Sequence, residues 1–91
     1  RFTVYQNYPN PFNPVTGLRY DLDIDAMVRA GVYDASGRLV RTLVSSWQNA
    51  GQKLITWNGA NDQGQAVSAG VYFCVVKSGA HRQMLKMMLL K

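Results

Sequence analysis

Apolar and polar residues along this chain alternate mostly with a period of two, in short runs separated by turn residues. Leu18-Arg19-Tyr20-Asp21-Leu22 is a half-buried strand by this criterion, with its apolar residues on one face. Val28, Ala30 and Val32 alternate with Arg29 and Gly31 in a second strand. Leu39 to Val44 reads as a third, with Val40 on one face and Arg41 and Leu43 on the other, a register that a local bulge would change. Lys53 to Trp57 follows, with Ile55 and Trp57 sharing a face. Gly70 to Val76 is apolar on both faces, which predicts a central strand. Gln83 to Leu90 closes the chain, with Leu85, Met87 and Leu89 alternating against Lys86. Asp34-Ala35-Ser36-Gly37, Asn58-Gly59, Asn61-Asp62-Gln63-Gly64 and Ser78-Gly79 are the turns between them. They recur about every 8–12 residues, the spacing of an antiparallel sandwich. No window sustains a helical period. The pattern predicts an all-β antiparallel sandwich of about six or seven strands with no substantial helix.

Ahead of the first of these strands lie all three prolines, in Tyr8-Pro9-Asn10-Pro11-Phe12-Asn13-Pro14. Proline fixes its own φ and pushes the preceding residue toward extended geometry. Asn10 and Asn13 suit Asx-turns. Residues 1–15 therefore read as an ordered, extended opening segment, with Tyr5, Tyr8 and Phe12 expected to pack on the domain.

Composition sets the scale. The chain has 91 residues, 47% hydrophobic and 16% charged, with no glutamate and a net charge of +5. That fits a single domain over 1–91 with one thin core, and it argues against disorder. One cysteine forbids an internal disulfide, and one histidine beside it all but excludes a zinc site. The longest apolar run, Met84 to Leu90, is broken by Lys86 and is far shorter than the ~18–20 residues a membrane helix needs, so no membrane insertion is expected. The start at Arg1 points to a piece of a larger protein, with any signal peptide upstream. Residues 1–45 carry five basic and four acidic side chains, residues 46–91 five basic and one acidic, so the excess base falls late. Its members are spread singly among strands, which argues against nucleic acid as a partner.

Candidate chemistry is sparse. Asp21, Asp23 and Asp25 alternate, as a cation-binding strand would. The calcium loop that begins this way needs Gly at its sixth place and Glu at its twelfth, where this chain has Ala26 and Val32. Nucleophilic catalysis needs a base beside the nucleophile. Cys74 sits in an apolar strand, and His81, the lone histidine, follows the Ser78-Gly79 turn, so a dyad would require the two to meet across a hairpin. A glycosidase pair would have no glutamate to draw on. Trp57, Tyr72, Tyr33, Trp47 and Tyr20 supply the rings of a sugar platform, but Trp57 and Tyr72 fall on core faces and only Trp47 lies in a polar loop. The residues point to no catalytic group, no metal and no cofactor.

Tyr8-Pro9-Asn10-Pro11-Phe12-Asn13-Pro14 followed by Leu18-Arg19-Tyr20 resembles the opening of the type A C-terminal sorting domains of type IX secretion, the Por system of the Bacteroidetes group. Val32-Tyr33-Asp34 with Gly37-Arg38-Leu39-Val40-Arg41-Thr42-Leu43 resembles the next hairpin of that family. Ala50-Gly51, Trp57-Asn58-Gly59, Asp62, Gly64 and Val67 follow in order. Ser68-Ala69-Gly70-Val71-Tyr72-Phe73 and Lys86-Met87-Met88-Leu89-Leu90-Lys91 complete a resemblance that spans nearly the whole chain. Asp23 stands where the family often has Pro, and Asn58 where it often has Asp. Val28 to Val76 is also similar to the Ig-like domain of the flagellar hook-capping protein, which lacks the Pro-Asn-Pro-Phe opening.

The first resemblance implies a non-catalytic address on an upstream cargo domain of the same chain. The cargo would cross the periplasm and be passed by an outer-membrane translocon to the cell surface or beyond. A sortase-like peptidase would remove the domain and join the cargo to an anionic surface glycolipid. Translocon recognition would fall on Gly70 and Tyr72 of a Gly-x-Tyr motif and on Lys86, Met87, Leu89, Leu90 and Lys91 of the tail. Independently, a final strand at a sheet edge offers backbone groups for strand addition, with Lys86 and Lys91 discouraging indiscriminate pairing. The rival expectation is an Ig-like binding, adhesion or structural spacer module of a secreted protein.

Overall fold

A computed structural model describes residues 2–90. Seven strands run in order: β1 (Thr3–Val4), β2 (Thr16–Leu22), β3 (Ala26–Asp34), β4 (Leu39–Gln48), β5 (Gly51–Trp57), β6 (Gly70–Ser78) and β7 (His81–Leu89). They form two sheets, β1-β2-β5 and β4-β3-β6-β7, with every pairing antiparallel. No helix is present among the described residues, and none therefore is long and apolar enough to cross a membrane. This is the all-β antiparallel β-sandwich that the period-two pattern predicts, with the seven strands and the Ig-like type that the family resemblances imply.

Each sheet turns its apolar alternate residues inward. Leu18, Tyr20 and Leu22 from β2 meet Val28, Ala30 and Val32 from β3, with Tyr72, Cys74 and Val76 from β6 and Met87 and Leu89 from β7. Trp57 packs edge-on to Tyr72 at 5.2 Å between centroids and lies 5.6 Å from Phe12. Its indole N–H donates to the Ala60 carbonyl at 2.9 Å, so the large ring is buried without an orphaned donor. At Gly59 the φ is +75°, and a Cβ there would stand 3.4 Å from both the Cβ and the carbonyl oxygen of Pro14. The turn after β5 thus needs glycine on both conformational and steric grounds.

The structure differs from the sequence expectation in several places, one of them Trp47, which lies within β4 opposite Met27 and not in a polar loop. Val40 and Leu43 do not lie on opposite faces, because both pack against the core. The β3–β4 register shifts between Ala30 and Gly31 and again between Val32 and Tyr33, and these irregularities absorb Leu43 and Val40 as extra residues. The opening segment contains a short strand, β1, that the alternation did not show. Of its three rings, Phe12 is buried, but Tyr5 and Tyr8 are 47% and 83% exposed. Tyr5 hydroxyl donates instead to Asp21 at 2.6 Å.

Candidate functional site

The closing strand β7 is at one edge of the four-stranded sheet, beyond β6. Its outer edge is divided in two. Met88 carbonyl accepts from the N–H of Phe12 at 2.9 Å, and Leu90 N–H donates to the Phe12 carbonyl at 2.8 Å. Met88 N–H donates to Asn10 Oδ1 at 3.0 Å, and the Lys86 carbonyl accepts from Gln6 Nε2 at 3.1 Å. The opening segment therefore covers the second half of the strand, with Phe12 in a parallel bridge to Leu89. In a strand, the N–H and C=O of one residue point to the same side and alternate along the chain. Since Lys86, Met88 and Leu90 point outward, so do Arg82 and Met84, and no hydrogen bond to their outward backbone groups is found among the described residues. The edge expected to offer backbone groups is thus open in part: among the described residues, the outward N–H and C=O of Arg82 and Met84 and the N–H of Lys86 have no partner.

The residues expected to serve recognition separate by depth. Tyr72, Met87 and Leu89 are buried core residues, and Tyr72 hydroxyl donates to the Ser68 carbonyl at 2.6 Å. Gly70 is half-buried at a φ of +145° that glycine tolerates and other residues rarely adopt. Lys86 and Leu90 are exposed. Lys91 lies outside the described residues.

Other candidates dissolve on inspection. Cys74 faces Leu85 across the β6–β7 ladder and His81 faces Ser78, so the hairpin does not bring thiol and imidazole together. Burial pushes the Cys74 thiol up to about 12, far from a reactive thiolate. Asp21 accepts from Tyr5, and Asp25 accepts the Ala50 N–H at 2.8 Å. No group of His, Cys, Asp or Glu suited to a metal forms among the described residues. Of the rings considered for sugar, Tyr20, Trp57 and Tyr72 are buried, while Trp47 is 65% exposed.

One arrangement escaped the sequence reading because it depends on strand order. Directly opposed residues align Arg29, Lys77 and Arg82 across β3, β6 and β7 on the outer face of the sheet. The next row is Gly31, Val75 and Met84, and the one after it Tyr33, Phe73 and Lys86. Four of the basic residues that look scattered in the sequence, Arg29, Lys77, Arg82 and Lys86, therefore share the outer face of β3, β6 and β7. Only the pairing register, which nothing in a single strand discloses, could have found them.

Residues 14–81 match the family model described as the FlgD Ig-like domain. No curated protein matches the chain. Among solved structures, dimeric latent PorU from Porphyromonas gingivalis is similar at 25% identity, with a TM-score of 0.70 over 98% of this chain. PorZ of the same organism, an essential bacterial surface component of its type IX secretion system, is similar at 21% identity and a TM-score of 0.67 over 97% of the chain. FlgD from P. aeruginosa is similar at 16% identity and a TM-score of 0.64 over 97% of the chain. The chain spans only 9% of PorU and 11% of PorZ, against 71% of that FlgD chain.

Proposed function

The chain belongs to the FlgD Ig-like domain family, and from that premise we propose that it is a non-catalytic sorting domain of type IX secretion. It would direct an upstream cargo domain of the same chain through the outer-membrane translocon to the cell surface. The observation that carries this reading is the joining of the two ends. The segment Asn10 to Phe12, which precedes the family match, and Met88 to Leu90, which follows it, are hydrogen-bonded to each other. The resemblance to sorting domains rests most on these ends. The 25% identity to PorU over 98% of the chain supports the same choice. A translocon that reads the folded domain would meet Lys86 and Leu90 on the surface, with Tyr72, Met87 and Leu89 holding them in place from beneath. A sortase-like peptidase would then act on the junction with the cargo.

A reporter joined ahead of this chain, behind a signal peptide, should reach the surface of a host that has type IX secretion. Removing Lys86 to Lys91 would also remove two core residues, so the sharper test replaces only Lys86 and Leu90 by alanine. A variant of unchanged thermal stability that leaves the reporter in the periplasm supports the reading. Undiminished surface display defeats the role of these two residues, and failure of the unaltered domain to export defeats the sorting role itself. The second reading, an Ig-like binding or spacer module, is favoured by the family match over residues 14–81. It gains if the unaltered domain folds and is not exported.

A further inference from the structure

The open half of β7 adjoins an unusual stretch of sheet surface. Arg29, Lys77 and Arg82 stand side by side in one row, and like charges directly opposed in a sheet repel. None of them has a carboxylate partner among the described residues, where the ion pairs join Arg38 to Asp34 and Arg41 to Asp62. Beside this row, Tyr33, Phe73, Val75 and Met84 line a shallow groove of about 490 Å³ together with Lys77, Arg82 and Asp34, whose carboxylate already accepts from Ser36 and the Arg38 N–H. Met84 is 55% exposed. The free backbone groups of Arg82 and Met84 run along the same margin.

A strand added to this edge would lengthen each row by one residue. Its side chain opposite Arg82 would meet the end of a cationic row. The one opposite Met84 would meet apolar surface, and the one opposite Lys86 another cation. We propose that β7 receives an extended segment of a partner protein carrying an acid–x–apolar–x–acid pattern, added as a fifth strand over Arg82–Lys86. Backbone hydrogen bonds would supply affinity, and the alternate side chains would set the register. The segment is short because the opening segment occupies the edge from the Lys86 carbonyl onward.

A second copy of this chain does not fit. Antiparallel pairing of two β7 edges about Met84 sets Arg82 against Lys86, and parallel pairing sets each cation against itself, so either arrangement opposes like charges. A shapeless polyanion would meet the cations and leave the backbone groups and the apolar row unused. The proposal names the chemistry of a contacting segment and stands apart from the sorting role.

The test titrates the whole 91-residue chain with a seven-residue peptide. The peptide has glutamate at its second and sixth positions, valine at its fourth and threonine elsewhere. An isomer with both glutamates adjacent controls for charge. The patterned peptide should bind saturably, slow amide exchange at Arg82 and Met84, and exceed the isomer about tenfold in affinity. Met84→Pro removes an outward N–H while leaving the inward ladder to β6, and it should abolish binding. The double variant Arg82→Glu with Lys86→Glu, which reverses both β7 charges that face the added strand, should lose this peptide and gain its lysine-for-glutamate counterpart. That exchange of partners stands as the test if the proline variant does not fold. Absence of binding, equal binding of the isomer, full binding to a folded Met84→Pro variant, or no exchange of partners would each overturn the proposal.

Discussion

Phe12 shows how much one side chain can organise in a core this thin. Its ring is 1% exposed and packs at a 58° tilt against Trp57, while its own N–H and C=O hold Met88 and Leu90. The ring therefore anchors the opening segment to the sandwich, and the backbone of the same residue anchors the closing strand to that segment. Replacing the ring by a methyl group removes the apolar contacts and leaves a cavity that the surrounding strands can only partly fill. Phe12→Ala should cost about 3–5 kcal/mol, read from urea unfolding of the two proteins. A loss below about 1 kcal/mol would mean that the ring adds little beyond what the backbone bonds already secure. Because the two roles share one residue, the variant should also speed exchange of the Leu90 amide. Tyr8, 83% exposed in the same segment, should tolerate the same change with little effect.

The strands themselves show where sequence reasoning reaches and where it stops. β6 is apolar on both faces, and it lies between β3 and β7 as that pattern demands. β2 buries its alternate residues from Thr16 to Leu22, and β7 buries Met87 and Leu89 while exposing Lys86. These are local signals, set by one strand and one covering layer. The bulges of β4 were not legible, because Val40 and Leu43 read equally well in either phase until β3 fixes the register. The cover over β7 was less legible still, since Asn10 and Met88 meet across 78 positions of sequence. Tyr5 and Tyr8 misled for the same reason: an aromatic residue near proline looks like a packing residue, but which ring finds the core depends on where the segment crosses the sandwich. The half-covered edge has a direct consequence for exchange with solvent. The amides of Met88 and Leu90 have acceptors, and those of Arg82 and Met84 point outward without one. Hydrogen exchange should therefore protect the first pair and leave the second pair fast, although all four belong to one β-hairpin or its continuation. Uniform protection along β7 would contradict the divided edge.

At the scale of the molecule, a sandwich of 36 × 22 × 20 Å has more edge than a small core comfortably supports. Two open sheets leave four edge strands, β1, β5, β4 and β7. β1 is only two residues long, and the bulges of β4 interrupt its ladder, both familiar ways of blunting an edge. At β7 the opening segment covers one half, and Arg82 and Lys86 flank the other. Charge is thus the remaining obstacle to pairing of like β7 edges, and it gives Arg82 and Lys86 a role on either side of the exposed Met84. The same cations that would select an acidic segment would repel a second copy of the strand. Replacing Arg82 and Lys86 together by threonine removes that repulsion and keeps β-propensity. The double variant should associate through β7 as concentration rises, giving a heavier species in sedimentation velocity that the original chain does not form at the same concentration. Adding Met84→Pro to the double variant should return it to the lighter species, because the proline removes a backbone donor that the paired edge requires. Association that survives the proline would place the contact elsewhere on the sandwich and remove charge at β7 as its cause.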